Sequence, residues 1–234
     1  MSLSKLVMRG LARRGFAVQR HPGWRRQRVL ADRGVDVVLD VGAARGGYAQ
    51  ELREFGYAGR IVSFEPMAAA YADLAAAAAD DPRWACVHSA LGSEAGTQTI
   101  NVASNSDSSS LLPMAEAHRA AAPHVDYVGQ EEITVARLDD VADEHLAGAT
   151  RPFLKIDTQG FEKQVLAGGS ATLERCVGLQ LELSFVPMYA GGMLVDEAIA
   201  YAYDHGFRMV ALAQGFTNPT TGAMLQADGV FFRS

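Results

Sequence analysis

The 234-residue sequence predicts one α/β domain, a doubly wound, mostly parallel sheet with helices on both faces. From residue 35 onward, short runs rich in Val, Ile and Leu alternate with stretches of helical character. Hydrophobic residues make up 49% of the chain and charged residues 21%, which is typical of a globular protein with a sizeable core. No run of 18 apolar residues occurs, so we expect no membrane-spanning helix.

The order of the predicted elements follows from where these runs begin and end. Strands are predicted at 37–41, 60–64, 84–88, 97–103, 133–138, 153–156, 177–185, 207–213 and 230–232. Helices are predicted at 48–55, 67–79, 162–167 and 195–205. The Ser- and Asn-rich stretch 104–110 predicts a loop. Because strands alternate with helices, most neighbouring strands should run parallel.

The first 34 residues are predicted to form a basic helical extension ahead of a domain at 35–234. Residues 1–33 hold nine of the 21 basic residues and one acid, a net charge of +8, whereas the rest of the chain carries −14. Leu3, Leu6, Val7 and Leu11 share one helical face. We favour packing of this face on the domain, and peripheral contact with an anionic membrane, an acidic partner or an anionic substrate stays an alternative.

Composition narrows the function classes further. A basic footprint of the kind that nucleic acid requires is missing from the acidic domain, so we expect no nucleic-acid partner. Cys86 and Cys176 lie in apolar runs and are predicted to be reduced, which favours a cytoplasmic protein without a secretory signal. The histidines are scattered and predict no metal site. Neither a Gly-x-Ser-x-Gly nor a Cys-x-x-Cys motif occurs, so serine hydrolase and thiol redox chemistry lack a nucleophile.

A turn of small residues after the first predicted strand is a candidate ligand loop. Asp40 ends an apolar run, and Gly42, Ala43, Ala44 and Gly46 follow before a helix that begins near Tyr48. Parallel sheets bind ligands where strands end, and glycine lets the backbone approach a ligand closely. Tyr48 stands where a dinucleotide-binding fingerprint has its third glycine. The turn alone is therefore equally consistent with a tight strand-to-helix connection that binds no ligand.

An acid after the second predicted strand strengthens this interpretation. Glu65 lies at the same edge and can accept both hydroxyls of a ribose, while Pro66 suits the first position of a helix. A role for Glu65 at the helix N-terminus is compatible with that. Since no clear cradle for a diphosphate accompanies the acid, a nucleoside-type cofactor such as S-adenosylmethionine (SAM) is favoured over NAD.

The chain as a whole resembles the FkbM-type SAM-dependent methyltransferases over about residues 35–234. The resemblance is carried by Asp-Val-Gly-Ala at 40–43, Phe-Glu-Pro at 64–66, Ala-Leu-Gly at 90–92 with Gly96, Arg-Leu-Asp-Asp-Val at 137–141, Leu-Lys-Ile-Asp-Thr-Gln-Gly-Phe-Glu at 154–162 and Leu-Glu-Leu at 181–183. It implies a Rossmann-like class I fold with a seven-stranded sheet. Ala44 stands where the family usually has Asn, so a polar contact from that position is missing.

The resemblance also implies a cofactor site. Asp40, Gly42 and Ala43 would hold the methionine end of SAM, Glu65 would bind the ribose, and Ser89 and Ala90 would line the adenine. The predicted cofactor site is completed by Ala44, Gly46, Tyr48, Pro66 and Asp157. A Mg²⁺ requirement stays open, because no clear site supports it.

Three residues are predicted to carry the chemistry. Asp157 follows the strand at 153–156 and is the first candidate for orienting or deprotonating a hydroxyl acceptor, with Lys155 as its partner and Glu182 facing the acceptor side. Alternatives stay open for each: Asp157 as a loop cap, Lys155 on the other face of its strand, and Glu182 paired with an arginine.

A polar loop and an aromatic residue are predicted to contact the acceptor together with Glu182. The candidates are Ser108, Ser109 and Tyr189. The family points to a hydroxyl of a sugar, glycolipid or polyketide-type natural product as the acceptor. A non-catalytic or NAD-binding Rossmann-like protein is the alternative function, and the sequence leaves a homo-oligomer open.

Overall fold

A computed structural model describes residues 3–16 and 20–233 of the chain. The ten strands are β1 (Val37–Val41), β2 (Arg60–Phe64), β3 (Trp84–Val87), β4 (Ala90–Leu91), β5 (Gly96–Ala103), β6 (Tyr127–Ala136), β7 (Pro152–Ile156), β8 (Gly178–Ser184), β9 (Phe207–Gln214) and β10 (Gln226–Arg233). The helices described are α1 (Leu3–Ala12), α2 (Pro22–Asp32), α3 (Gly47–Glu54), α4 (Ala68–Ala78), α5 (Glu116–Ala121), α6 (Leu138–Leu146), α7 (Glu162–Gly168), α8 (Ser170–Arg175) and α9 (Val195–Asp204).

Seven strands form the main sheet in the order β3-β2-β1-β7-β8-β10-β9. β1 pairs in parallel with both β2 and β7, and β10 runs antiparallel to β8 and β9. The predicted α/β class, with a seven-stranded and mostly parallel sheet, is confirmed. Since β1 lies centrally, its carboxyl end is flanked by the ends of β2 and β7, where parallel sheets bind ligands.

Apolar side chains cover the main sheet on both faces, as a parallel sheet requires. Along β1, Leu39 belongs to one core cluster and Val38 to the other, because successive side chains of a strand point to opposite faces. All five residues of β1 and all five of β7 are buried. The polar exceptions on these two strands, Asp40 and Lys155, are register partners of each other.

The chain also forms a second, smaller sheet, which the sequence did not predict. Its three strands are ordered β4-β6-β5, with β5 antiparallel to β6. The stretch 133–138, predicted as one extended run, divides at residue 137: β6 ends at Ala136 and α6 begins at Leu138. Helices α5, α6 and α8 were also missed, because each has at most nine residues. Helix α2 lies within the helical extension predicted for residues 1–34 but was not predicted as a separate helix.

Helices α1 and α2 of the basic N-terminal segment differ in how they pack. Leu30 of α2 is fully buried in a core cluster, and the Arg26 guanidinium forms an ion pair with Glu51 of α3. On α1, by contrast, Val7 is 55% exposed, while Leu11 is half-buried. The predicted packing of an apolar face on the domain is therefore not seen at Val7, and the side chains of Leu3 and Leu6 lie outside the described residues.

Candidate active site

A cavity of about 440 Å³ opens at the carboxyl ends of β1, β2 and β7. Its wall includes the turn after β1, the start of α4, the turn after β7 and part of the second sheet. Eleven of the predicted site residues line it: Gly42, Ala43, Ala44, Tyr48, Glu65, Pro66, Ser89, Ala90, Ser109, Lys155 and Asp157. The structure therefore brings together residues from five separate parts of the sequence.

Asp40 and Lys155 form an ion pair under this cavity. The Lys155 Nζ lies 3.0 Å from Asp40 Oδ1 and 3.7 Å from Asp157 Oδ2, and it donates to the Gly42 carbonyl at 3.0 Å. Burial lowers the pKa of Lys155, but the carboxylates of Asp40 and Asp157 outweigh burial and raise it above its usual range. Lys155 is thus a buried cation that points toward β1 and the cavity, joining the turns after β1 and β7.

Asp40 itself does not line the cavity. It is fully buried, and the Ser63 hydroxyl donates to its Oδ2 at 3.0 Å, while Trp84 Nε1 donates to the same hydroxyl at 2.9 Å. Asp40 thus occupies a layer beneath the ligand space, where it holds Lys155 in place. Gly46 also lies off the cavity wall and packs against Trp84.

Glu65 is a buried carboxylate on the cavity wall, 4% exposed. The backbone N–H of Ala44 donates to its Oε2 and that of Met67 to its Oε1, both at 2.9 Å. Burial raises the pKa of Glu65, and these two hydrogen bonds oppose that rise. A carboxylate offers about four lone-pair sites, so Glu65 can accept hydrogen bonds from a ligand besides fixing the turn after β1.

The turn after β1 fits tightly against the turn after β7. Gly42 has φ +76°, and a Cβ placed on it would lie 1.8 Å from the Asp157 carbonyl oxygen, so no side chain fits there. Ala44 adopts φ +47°, a left-handed conformation that alanine disfavours and asparagine tolerates. The Asn that the resemblance leads one to expect at this position would suit this backbone, whereas Ala44 adopts it without that preference.

The predicted adenine side lies where β3 leads into β4. Ser89 is 8% exposed, and its hydroxyl donates to the Ala90 carbonyl at 2.8 Å. His88 stacks on Tyr71 at 4.4 Å between ring centroids and contacts the Pro66 carbonyl at 3.0 Å. Ser89 and Ala90 line this end of the cavity, whereas the His88–Tyr71 stack lies outside its wall.

Gln159 connects the predicted catalytic carboxylates, and the sequence analysis missed it. Its Nε2 donates to Asp157 Oδ1 at 2.8 Å and lies 3.4 Å from Glu182 Oε2, while its Oε1 is 2.8 Å from the Tyr189 hydroxyl. Its carbonyl accepts from Ser110 Oγ at 2.7 Å, and its φ of +56° is left-handed. A non-glycine residue in that conformation, with its side chain bonded at both ends, is held in a defined position.

Glu182 lies next to a second acid that the sequence analysis also missed. Asp228 of β10 is the register partner of Glu182 on β8, and directly opposite side chains lie close together in an antiparallel pair. Burial raises the pKa of Glu182 well above its usual range, and the Asp157 carboxylate raises it further. Burial and Asp157 likewise raise the pKa of Asp228. The arginine pairing considered for Glu182 is not seen among the described residues.

The predicted acceptor residues occupy two different depths. Ser109 lines the cavity and accepts a hydrogen bond from the Ala103 N–H at 2.9 Å. Ser108 and Tyr189 lie behind the wall: the Tyr189 hydroxyl is 3.2 Å from the Ser108 carbonyl, and the tyrosine is 2% exposed. Both residues therefore support the turn that carries Gln159.

Helix α2 reaches the site from the N-terminal segment. The Arg26 guanidinium lies 4.3 Å above the ring of Tyr48, and the Lys155 Nζ lies 5.2 Å from the same ring. The Tyr48 hydroxyl donates to Gln180 Oε1 at 3.2 Å. Tyr48, which lines the cavity, is thus held between two cations and a hydrogen bond.

Gln159, Asp228 and Arg26 were not predicted as site residues, and only one of them carries a signal in the sequence. Gln159 stands inside the Lys-Ile-Asp-Thr-Gln-Gly segment, so its position beside Asp157 could have drawn attention to it. Asp228 and Arg26 meet the site only through strand register and helix packing, which no local pattern encodes. Among the described residues, no group of three His, Cys, Asp or Glu side chains could hold a metal ion.

Known proteins resemble this chain in sequence family and in fold. Residues 40–209 match the methyltransferase FkbM domain family. No curated protein matches the chain. An O-methyltransferase from Bacillus cereus, solved in complex with SAH, is 12% identical with a TM-score of 0.49 over 99% of this chain and 90% of that one. An rRNA methylase from Streptococcus thermophilus is 11% identical with a TM-score of 0.48 over 93% and 99% of the two chains.

Proposed function

This chain belongs to the FkbM methyltransferase family, and we propose that it transfers the methyl group of SAM to a hydroxyl oxygen of a small molecule or glycan. SAM supplies an electrophilic methyl group on a sulfonium, which needs no further activation. What the protein must add is alignment of the acceptor and removal of its proton. The arrangement of carboxylates around the cavity supports a division of these tasks.

The residues around the cavity fit SAM. Glu65 has lone pairs left for the two ribose hydroxyls, because each of its oxygens accepts one backbone N–H. Gly47 lines the cavity with no atom within 4 Å of the position of a Cβ, which leaves room beside the turn after β1. The Asp40–Lys155 ion pair lies beneath the cavity and fixes the turn that would receive the methionine end. Ser89 and Ala90 would line the adenine.

Asp157 is the residue that we assign to the acceptor hydroxyl. Its Oδ1 is held by Gln159 and its Oδ2 faces Lys155 at 3.7 Å, so its orientation is fixed on both sides. A carboxylate held in this way can accept the hydrogen bond of a hydroxyl and take its proton as the C–O bond forms. We assign Glu182, which has a raised pKa and accepts a hydrogen bond from the Gln159 amide at 3.4 Å, to taking up that proton from Asp157 through water.

The single observation that carries this proposal is the position of Asp157. It lines the same cavity as Glu65, across the turn that Lys155 and Gly42 hold. A polar acceptor fits this end of the cavity because Ser109 and Gln159 also line it. We take the acceptor to be a hydroxyl of a sugar, glycolipid or polyketide-type natural product, following the family, with no nucleic acid involved.

Calorimetric titration tests the cofactor half of the proposal. Wild-type protein should bind SAM and its product SAH, and Glu65→Gln should weaken binding about 10-fold to 100-fold, since a ribose hydroxyl loses a charged partner. The matched control is Glu94→Gln, which removes an exposed carboxylate and should bind as wild type does. Binding of NAD instead of SAM, or equal affinities for both variants, would contradict the proposal.

Mass spectrometry tests the acceptor half. Incubation with SAM and a panel of sugar, glycolipid and polyketide alcohols should give a product heavier by one CH2 group. Asp157→Asn should lower the rate by about 100-fold or more, because the base is lost, while SAM affinity stays close to that of wild type. A variant that loses both together would assign Asp157 to cofactor binding alone.

The cysteines support a proposal about where the protein works. Cys86 and Cys176 are both free thiols, and Cys176 is buried. Burial raises the pKa of both thiols, so the reactive thiolate form is suppressed. We therefore propose that the protein works in the cytoplasm. Among the residues that the structure describes, no helix is long and apolar enough to cross a bilayer.

A further inference from the structure

Helix α1 and the residues after it carry exposed apolar side chains. Val7 is 55% exposed and Met8 43%, and Phe16, four residues beyond the helix end, is 64% exposed. The same stretch is basic, with Arg9, Arg13 and Arg14 and with no acid among residues 3–16. Large apolar side chains that stay in water in one short basic segment mark a surface that contacts something else.

The two kinds of side chain lie on different sides of the helix. Val7 and Leu11 are one turn apart and share a face that Met8 borders. Arg9 and Arg13 are also one turn apart and share the other face. A short helix with an apolar face and a basic face lies in the plane of a lipid surface, with the apolar residues among the acyl chains and the basic residues at the headgroups.

Helix α2 shows that a basic helix of this chain can pack on the domain. Both helices carry a net charge of +2. In α2, however, Leu30 is buried and Arg26 is paired with Glu51. Arg13 and Arg14, by contrast, form no ion pair with any described residue, although the rest of the chain is strongly acidic.

We infer that residues 3–16 bind reversibly to an anionic lipid bilayer. Charge favours this occupant, because the domain at 35–234 is acidic and an anionic bilayer would repel it, which leaves the basic segment as the part that faces the lipid. One short apolar face with a few arginines gives weak binding that salt reverses. The inference is independent of the identity of the methyl acceptor.

Vesicle flotation with the full chain tests this. Protein should float with vesicles of phosphatidylcholine mixed with phosphatidylglycerol, and it should remain in solution with phosphatidylcholine alone or at high salt. The triple variant Val7→Ser, Met8→Ser and Phe16→Ser should reduce the floated fraction about tenfold, because the apolar contribution is lost. Its thermal unfolding should match that of wild type, since none of the three side chains is buried.

Two double variants that remove the same charge distinguish specific binding through residues 3–16 from nonspecific attraction of any basic residue to the anionic vesicles. Arg13→Gln with Arg14→Gln should reduce flotation strongly, whereas Arg25→Gln with Arg28→Gln, which removes two exposed charges from α2, should leave it near wild type. Equal losses from both pairs, or no flotation of wild type, would overturn the inference. Concentration-dependent self-association that the triple variant abolishes, without flotation, would assign the face to a second copy and overturn it as well.

Discussion

Asp40 and Glu65 lie among hydrogen-bond donors at the ends of β1 and β2, whereas Glu182 and Asp228 lie opposite each other on β8 and β10. The first pair is satisfied by a lysine, a serine hydroxyl and two backbone N–H groups. Around the second pair, the nearest donor to Glu182 among the described residues is Gln159 Nε2, at 3.4 Å. One region of the site thus stabilises its carboxylates with a cation, a hydroxyl and backbone N–H groups, whereas Glu182 and Asp228 face the neutral amides of Gln159 and Gln180.

This difference separates two uses of a carboxylate in the site. A carboxylate with strong hydrogen-bond and ion-pair partners fixes the backbone around it. A carboxylate whose pKa is raised by burial and by neighbouring acids is a stronger proton acceptor. We therefore expect the β1–β2 region to govern stability and cofactor binding, and the β8–β10 region to govern turnover. Substitutions in the two regions should have opposite effects on stability.

The largest effect is expected from removing the cation under the cavity. Lys155→Met should lower the free energy of unfolding by about 3–5 kcal/mol, because Asp40 would remain buried without its partner. Urea denaturation followed by circular dichroism measures this change. Lys163→Met, at an exposed position of α7, is the matched control and should change stability by less than about 0.5 kcal/mol. A small loss for Lys155→Met would show that Asp40 needs no cation.

In the β8–β10 region, a substitution is expected to increase stability rather than decrease it. Glu182→Gln should raise the free energy of unfolding at neutral pH by about 1 kcal/mol while lowering turnover, because it removes a carboxylate that is poorly paired. Denaturation of the variant and of wild type under the same conditions gives the difference. A loss of stability would mean that Glu182 has a partner as effective as that of Asp40.

The stability difference between Glu182→Gln and wild type should depend on pH. Because the pKa of Glu182 is higher in the folded chain than in the unfolded chain, the folded chain binds more protons between the two pKa values. Its contribution to stability is complete below the unfolded value and is lost as pH rises through the folded value. The advantage of Glu182→Gln over wild type should therefore grow as pH rises above about 4, the usual pKa of a glutamate, as denaturation at several pH values would show.

The smallest effect concerns the backbone of the turn after β1. Ala44→Asn should stabilise the chain by about 0.5 kcal/mol, because asparagine accepts the left-handed conformation that alanine disfavours. Scanning calorimetry detects such a shift. Ala72→Asn is the control: this exposed position lies inside α4, where asparagine should destabilise by about 0.5 kcal/mol. Two changes of equal sign would show that backbone conformation is not the cause.

The same two regions show how far sequence reasoning reaches. Asp40, Glu65 and Asp157 each follow or end a hydrophobic run, so their place at one edge of the sheet could be predicted from strand order alone. The outer strands β8–β10 were predicted as strands, but the pairing of Glu182 with Asp228 depends on the antiparallel register between them. Register is set by packing over the whole sheet, which a single segment does not encode.

The N-terminal segment illustrates a second limit. Leu3, Leu6, Val7 and Leu11 make a helical stripe that favours packing on the domain, yet Val7 stays exposed and α2 is the helix that packs. Helix α2 has no continuous row of apolar residues along one face, and its packing on the domain depends on individual residues such as Leu30. Periodicity therefore identified an amphipathic helix without identifying its partner.

The contact between Gly42 and the Asp157 carbonyl has a consequence for variation of this protein. Because even one methyl group at position 42 would occupy the place of that oxygen, the two turns cannot be altered separately. A segment that includes residues 40–48 grafted from a relative would fit only together with that relative's turn at 157–162. In recombination or directed evolution, these two stretches, more than 100 residues apart in the chain, should be inherited as one block.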